Sequence, residues 1–283
     1  MTGLRSAASR AAPSRARASG LIALIAAAAL SLSACSEGPS GTTDSSAAVG
    51  ASAGSAGSPA EDEASPEAGS AEDAGDADTD GEPEEMLSEQ EIAQILLSES
   101  ELPFTPDRHS TQTGLNFFQE QLSAQPEIYT ESFGDGACTS AMDQVNAELV
   151  GEDPQGGVVQ EYEHELEDRT ESLYVWMLGL PDPQDSAAVW DGVVEACADQ
   201  PLRGETDSVR VDAFESQGFE GIELHMDVHN GEGMVEVLGY SASTDYGRHL
   251  LMVSAANMDA HTFREVVELQ AAKLATHAHQ QTD

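Results

Sequence analysis

The chain is poor in basic residues. Its 283 residues include 11 Lys and Arg against 52 Asp and Glu, and four of the Arg precede Cys35. No acidic residue precedes Cys35, so the chain from there onward carries a formal charge of −45. Nucleic-acid binding and electrostatic docking on anionic lipid both need a basic surface, so we exclude them. The charge permits a cation or a basic peptide as ligand, although general solubility or a salt-adapted proteome explains it more simply.

Motifs of catalysis and metal binding are also missing. The chain has no Gly-x-Ser-x-Gly elbow, no His-Glu-x-x-His and no Cys-x-x-Cys. Carboxylate pairs are expected by chance among the 38 acids of residues 86–283, so they do not indicate a glycosidase. We therefore predict no catalytic residue, no metal site, no cofactor and no enzymatic activity. The alternative is a secreted envelope hydrolase of an unrecognised type.

The N-terminus has the composition of a secretory signal. Basic residues are followed by an apolar run over 21–34, which is 14 residues long and too short for a membrane span of roughly 20. The run ends in Leu32-Ser33-Ala34-Cys35, which resembles the lipobox of bacterial lipoproteins, where the Cys is acylated. We predict a signal peptide over 1–34 and a lipid on Cys35. The lipid would hold the protein on the extracytoplasmic face of the cell membrane. An uncleaved N-terminal anchor is the alternative.

Only three cysteines are present, and Cys138 and Cys197 remain if Cys35 takes the lipid. An even pair in an oxidising compartment favours a disulfide, which would stabilise the fold by roughly 4 kcal/mol in the chain-entropy model. Two free buried thiols or a catalytic thiol are the alternatives. Two cysteines are too few for a structural zinc site.

Residues 35–85 are predicted to be a disordered acidic linker. They are Ser, Gly, Ala, Pro, Thr and acids without an aromatic residue, with 14 acids and a single Val over 36–85. Such a composition buries too little apolar surface to offset its ordering entropy. As a coil it would span about 40 Å and act as a stalk. The folded domain should be residues 86–283.

Apolar periodicity then predicts an α+β two-layer sandwich, an antiparallel sheet with helices on one face. Ser88 and Glu91 form a capping box before a helix that ends ahead of Leu102-Pro103. Asn230-Gly231 marks a hairpin. Further helices are predicted over 114–122, 138–150, 185–198 and 260–277. Strands are predicted over 158–166, 173–180, 209–214, 222–228, 234–240 and 249–255.

One strand alternates in polarity. Its apolar positions are Ile222, Leu224, Met226 and Val228, and its polar positions are Glu223, His225, Asp227 and His229. We interpret the polar set as a solvated sheet face. His225 and His229 lie about 13 Å apart along a straight strand, too far to share one metal. A metal on His225 and Asp227 would need a further ligand, such as Glu236 or His249.

Two other groups have ordinary structural explanations. Trp176, Trp190 and Tyr174 lie at the centres of elements and are interpreted as core residues. His277 and His279 are interpreted as the fraying end of the last helix.

The order of elements resembles the PknH-like extracellular domain of actinobacteria. The resemblance rests on the first helix pattern from Leu87-Ser88 to Ile95-Leu96, on Cys138 at a helix start, and on the helix from Ala187-Ala188-Val189-Trp190 to Cys197. The family usually carries two disulfides, whereas one pair is available here. The resemblance implies a sensor or binding module with an unknown envelope ligand or protein partner. No functional residue carries over beyond the Cys pair.

Overall fold

A computed structural model describes residues 85–117, 127–151, 153–198, 201–229 and 233–281. The α-helices with described bounds are α1 Glu89–Ile95, α2 Ile128–Phe133, α3 Ala137–Val150, α4 Ser186–Cys197 and α5 Ala260–Gln281, and a short 3-10 helix spans Glu99–Glu101. The strands are β1 Arg108–Thr113, β2 Gly156–Glu165, β3 Thr170–Gly179, β4 Leu202–Arg203, β5 Ser208–Ser216, β6 Phe219–His229, β7 Met234–Tyr246 and β8 His249–Ala256. The predicted signal peptide and residues 35–84 of the predicted linker lie outside the described residues.

The eight strands form one antiparallel sheet in the order β1-β2-β3-β8-β7-β6-β5-β4. β1 to β3 are one meander and β4 to β8 are another, and α4 carries the chain from β3 toward the far edge. The meanders join where β8 pairs with β3, from Ser172 opposite Ala256 to Gly179 opposite His249. Every residue of β8 is buried, so the last strand in sequence lies at the centre of the sheet. The predicted α+β class and the antiparallel sheet are confirmed.

Helices cover both faces of the sheet, which corrects the prediction of two layers with helices on one face. On what we call the disulfide face, α2, α3 and α4 pack over side chains such as Trp176 and Met252. On what we call the terminal-helix face, α1 and α5 pack over Val175, Val253 and Ala242. β3 and β8 are apolar on both sides for this reason, since each of their faces is buried under helices.

α1 begins as the sequence predicts. The Ser88 hydroxyl accepts the N–H of Glu91, and the Glu91 carboxylate accepts the N–H of Ser88 at 2.8 Å, which is a capping box. The helix ends at Ile95, ahead of the predicted Leu-Pro boundary. The fully buried Gln270 of α5 holds this end, because its amide donates to Ile95 O and accepts from Leu97 N–H, each at 2.9 Å.

β1, β4 and α2 were not predicted. The predicted helix over 114–122 extends into residues 118–126, which lie outside the described residues. The predicted hairpin is confirmed by the pairing of β6 with β7 as far as His229 opposite Met234. α5 continues to Gln281, past the predicted end at 277. Within the described ranges, no helix is long and apolar enough to cross a membrane.

Candidate functional site

Cys138 and Cys197 form a disulfide between the first turn of α3 and the last turn of α4. Their Cα atoms are 4.5 Å apart and the bond closes a loop between residues separated by 59 positions. Both residues are buried in the core of the disulfide face. Of the three states that the sequence left open, the structure contains the disulfide, so neither thiol is available as a nucleophile.

The polar positions of β6, which we call the polar row, lie on the terminal-helix face. Glu223 is opposite Tyr240, whose ring stacks on Phe263 of α5 at 4.6 Å between centroids. Past this contact the row opens to solvent, since the His225 side chain is 28% exposed and Asp227 is exposed. The apolar positions of β6 are buried on the opposite face, as the alternation predicts.

His225 is the centre of the polar row. Its Nε2 lies 2.9 Å from Glu223 Oε1 and 3.8 Å from Asp212 Oδ2, and its Nδ1 lies 3.8 Å from Glu236 Oε1. Arg210 donates to the same Asp212 oxygen at 2.7 Å, and this hydrogen bond raises the pKa of the exposed Arg210 guanidinium. The row is therefore a partly neutralised acidic surface.

The strands bring together only some of the metal ligands considered from the sequence. Glu236 approaches His225, whereas His249 is at the opposite end of β8, level with Gly179 rather than with the polar row. His229 is four positions beyond His225 along β6 and is exposed. Among the described residues, no group of three or more His, Cys, Asp or Glu side chains is arranged to hold a metal ion.

His249 instead binds the start of the folded domain. Its side chain is 1% exposed, its Nε2 accepts the N–H of Leu87 at 3.0 Å, and its Nδ1 lies 3.2 Å from Tyr246 O. Because a carbonyl only accepts, Nδ1 carries the proton and the ring is neutral. Burial lowers the pKa of His249, the bond to Tyr246 opposes this effect, and the charge of Arg248 adds to it.

The residue before Leu87 strengthens this attachment. The sulfur of Met86 occupies the space that a Cβ would take at Gly179, the residue opposite His249 on β3. A side chain at that position would displace Met86. Gly179 and His249 therefore hold Met86 and Leu87, the residues that join the predicted linker to the domain.

A second polar group lies on the disulfide face where β1, β2 and β3 run side by side. The carboxylate of Glu161 accepts the Tyr174 hydroxyl and the Ser110 hydroxyl, both at 2.9 Å. Burial, followed by the negative charge of Glu161, raises the pKa of Tyr174. The sequence did not reveal this group because β1 was not predicted, so the strand that brings Ser110 next to Glu161 was missing.

The two tryptophans are core residues, as predicted. Trp176 and Trp190 are each 1% exposed, and Trp190 Nε1 donates to Ser243 Oγ at 2.8 Å. Tyr174 is buried too, but its hydroxyl reaches the edge of the core at Glu161. His277 is not at a frayed end, since it lies within α5 with its ring edge-on to Tyr246 at 6.4 Å between centroids.

Among known proteins, the chain is similar in structure to two mycobacterial proteins of known structure. No protein-family model matches the chain, and no curated protein matches its sequence. The chain is similar to the extracellular domain of PknH from Mycobacterium tuberculosis, with 11% identity and a TM-score of 0.38 over 69% of this chain and 100% of that one. It is also similar to an uncharacterised Mycobacterium smegmatis protein, an Rv0999 ortholog, with 14% identity and a TM-score of 0.37 over 69% of this chain and 98% of that one. PknH gives its name to the family that the sequence resembles, and its extracellular domain is one of these two structural neighbours.

Proposed function

We propose that this protein is a lipid-anchored, extracytoplasmic binding or sensing domain of the cell envelope, without enzymatic activity. In this proposal residues 1–34 are a signal peptide, Cys35 carries the lipid, residues 35–85 are a stalk and residues 86–283 bind the ligand or partner. The membrane is reached through the lipid and not through surface charge, since a chain of formal charge −45 from Cys35 onward is repelled by anionic lipid.

The observation that carries the proposal is the Cys138–Cys197 disulfide in a chain that begins with a lipobox-like leader. Disulfides persist in oxidising compartments outside the cytosol. The leader and the disulfide lie more than 100 residues apart in the sequence and rest on different chemistry. They support the same side of the membrane independently.

Binding is favoured over catalysis by how the polar side chains are used. A hydrolase of the cysteine type needs a free thiol beside a histidine, whereas Cys138 and Cys197 are joined in the disulfide. Both ring nitrogens of His249 bond backbone groups, so His249 is not available as a general base. Glu161 accepts hydrogen bonds from two neutral hydroxyls, which fix its carboxylate in place.

The anchor is tested by the substitution Cys35→Ser in the full chain. We expect the wild-type protein to incorporate radiolabelled palmitate and to sediment with membranes, and the variant to lose both properties. Cys138→Ser is the matched control, because it replaces a cysteine of the folded domain, breaks the disulfide there, and should leave palmitate labelling intact. A Cys35→Ser protein that still sediments with membranes would contradict the anchor.

The compartment is tested by the oxidation state of the remaining cysteines. Denaturation of the protein without reductant, followed by thiol alkylation and mass spectrometry, should find both Cys138 and Cys197 unmodified. Alkylation of both residues in protein taken directly from cells would contradict an extracytoplasmic location.

A further inference from the structure

We propose that β1 is a docking edge for an extended, cationic segment of a partner protein, which adds to the sheet as a further strand. The inference deepens the proposed binding function by naming the kind of partner and the surface that receives it. Binding of such a segment is measured in solution and does not depend on the lipid, so the docking edge and the anchor fail or succeed separately.

The register of β1 leaves half of its backbone groups directed away from the sheet. Gly114 donates its N–H to Gly157 O at 3.0 Å and continues the register in which Thr113 is opposite Val158. In an antiparallel pair, residues that bond to the neighbouring strand alternate with residues that do not. The even-numbered residues of β1 therefore bond to β2, and the N–H and C=O groups of His109, Thr111 and Thr113 point outward.

The two edges of the sheet differ in how they are protected. β4, at one edge, has only two residues, which is too short to template a further strand. β1, at the other edge, has six residues that are all exposed. It contains neither proline nor lysine, two of the residues by which proteins block an edge strand. Among the described residues, no strand pairs with this outer edge of β1.

The charges beside β1 select a cationic segment. On the disulfide face, the neighbouring strand presents carboxylates at every second position, at Glu161, Glu163 and Glu165. Arg108 pairs with Glu163 and, at 3.2 Å, with Glu165, so this side keeps a net negative charge. An added strand would lie about 10 Å from β2, two strand spacings, and lysine and glutamate side chains together span that distance.

On the opposite side of the same edge, the described contacts of His109 and Thr111 are with an amide side chain. His109 Nε2 and Thr111 Oγ1 each lie 2.7 Å from the amide oxygen of Gln160. Neutral polar side chains fit this side. The geometry thus points to a strand that alternates basic residues with short polar residues, since successive side chains of a strand face opposite sides.

Two other occupants are disfavoured by charge. A second copy of the domain would bring together two bodies of formal charge −31 each, and like charges oppose that association. The chain's own acidic run, Glu61 to Glu85, would place carboxylates beside Glu161 and Glu163. A partner segment with lysine or arginine at alternate positions has the opposite charge.

The test uses the chain from residue 35 with Cys35→Ser and a fluorescent peptide of about nine residues that alternates lysine and threonine. We expect saturable binding by fluorescence anisotropy that weakens as salt is raised. Thr111→Pro removes an outward N–H and the side-chain bond to Gln160, but no backbone bond to β2, and should weaken binding at least about tenfold. Thr111→Val loses the same hydroxyl but keeps the N–H, and should stay within about twofold. Equal affinity for the Pro and Val variants would overturn the proposal.

A peptide change keeps the test valid if Thr111→Pro disturbs the fold. Two peptides are made, one N-methylated at its odd-numbered residues and one at its even-numbered residues. Only one of these two sets of N–H groups faces β1, so one of the two peptides should lose binding to the unaltered protein. Binding that survives methylation in both peptides excludes strand addition.

The role of charge is tested with two double variants, one beside β1 and one on α5. Glu163→Gln with Glu165→Gln should weaken binding about tenfold, and Glu265→Gln with Glu268→Gln on the exposed side of α5 should leave it within about twofold. Equal binding of a glutamate-threonine peptide would overturn the cationic partner. Self-association of the protein by sedimentation equilibrium that Thr111→Pro abolishes would show that the occupant is a second copy, which also overturns it.

Discussion

The two faces of the sheet are held by different chemistry. On the disulfide face, α3 and α4 are joined covalently through Cys138 and Cys197, two residues in the middle of the chain. On the terminal-helix face, α1 and α5 come from opposite ends of the domain, and buried Gln270 of α5 bonds the end of α1. Buried His249 of β8 bonds Leu87, just ahead of α1. One sheet therefore depends on the redox state on one side and on polar contacts and pH on the other.

Removal of the disulfide should have the largest effect. Replacement of Cys138 and Cys197 together by Ala is expected to lower the free energy of unfolding by about 4 kcal/mol, because the unfolded chain regains the entropy of a loop of about 60 residues. Urea unfolding with and without reductant measures this. Reductant should reduce wild-type stability toward that of the variant and leave the variant unchanged. A wild-type protein equally stable in both conditions would show that the bond does not hold the disulfide face together.

The equivalent change on the terminal-helix face is Gln270→Met, which keeps the size of the side chain. It leaves Ile95 C=O and Leu97 N–H buried without their partner, and we expect a loss of about 3 kcal/mol that reductant does not alter. Gln280→Met, on the exposed side of the same helix, is the control and should be neutral. Hydrogen exchange at Leu97 should accelerate in the first variant only. Unchanged exchange there would mean that α1 is held by packing alone.

The pH dependence should be specific to the terminal-helix face. Because burial lowers the pKa of His249 in the folded protein, the unfolded chain binds a proton first. Stability is therefore fully present above the ordinary value of 6.5 and falls as the pH drops through it, by no more than about 1.4 kcal/mol per pH unit for one proton.

The measurement is urea unfolding at pH 7 and pH 5.5. His249→Gln should reduce the loss between these values, because the amide does not titrate and can still accept from Leu87. His261→Gln, an exposed position on α5, is expected to behave as the wild type. A His249→Gln protein with the full wild-type slope would assign the pH dependence to other groups.

The smallest changes in stability are expected from removing the hydroxyl of one tyrosine on each face. Tyr174 donates to Glu161 at 2.9 Å on the disulfide face, and Tyr240 donates to Glu223 at 3.4 Å on the terminal-helix face. Tyr174→Phe should cost about 1 kcal/mol and Tyr240→Phe less than half of that, because the longer bond is weaker. Thermal unfolding compares the two variants directly. A larger loss of stability for Tyr240→Phe than for Tyr174→Phe would show that the Tyr240 hydrogen bond is the stronger of the two.

Much of the fold was predictable because it depends on local patterns. The alternation around Ile222 and the Asn230-Gly231 turn predicted the β6–β7 hairpin, and Ser88 with Glu91 predicted the start of α1. The Cys pair was predictable by counting. The hairpin and the capping box are marked by residues close together in the sequence. The cysteine pair follows from the number of cysteines, whatever their separation.

The rest depends on neighbours that the sequence does not show. β1 gives no apolar alternation because all six of its side chains are exposed. The second helical layer was missed because the alternation of β6 comes from the uncovered part of the terminal-helix face. The continuous apolar runs Leu173–Leu178 and Leu250–Val253 do carry the signal of a strand buried on both sides. The partner of His249 is a backbone N–H 162 residues away, which no side-chain pattern marks.

The central position of β8 has a consequence for how the chain folds. The strand that joins the two meanders is the last to be synthesised, and its pairing with β3 links residues about 80 positions apart. A chain that emerges N-terminus first into an oxidising compartment can close the loop between Cys138 and Cys197 before β8 has emerged, but it cannot complete the sheet. Folding should therefore be governed by a late, long-range pairing step, and a chain that stops at Tyr246 should hold two separate meanders and no continuous core.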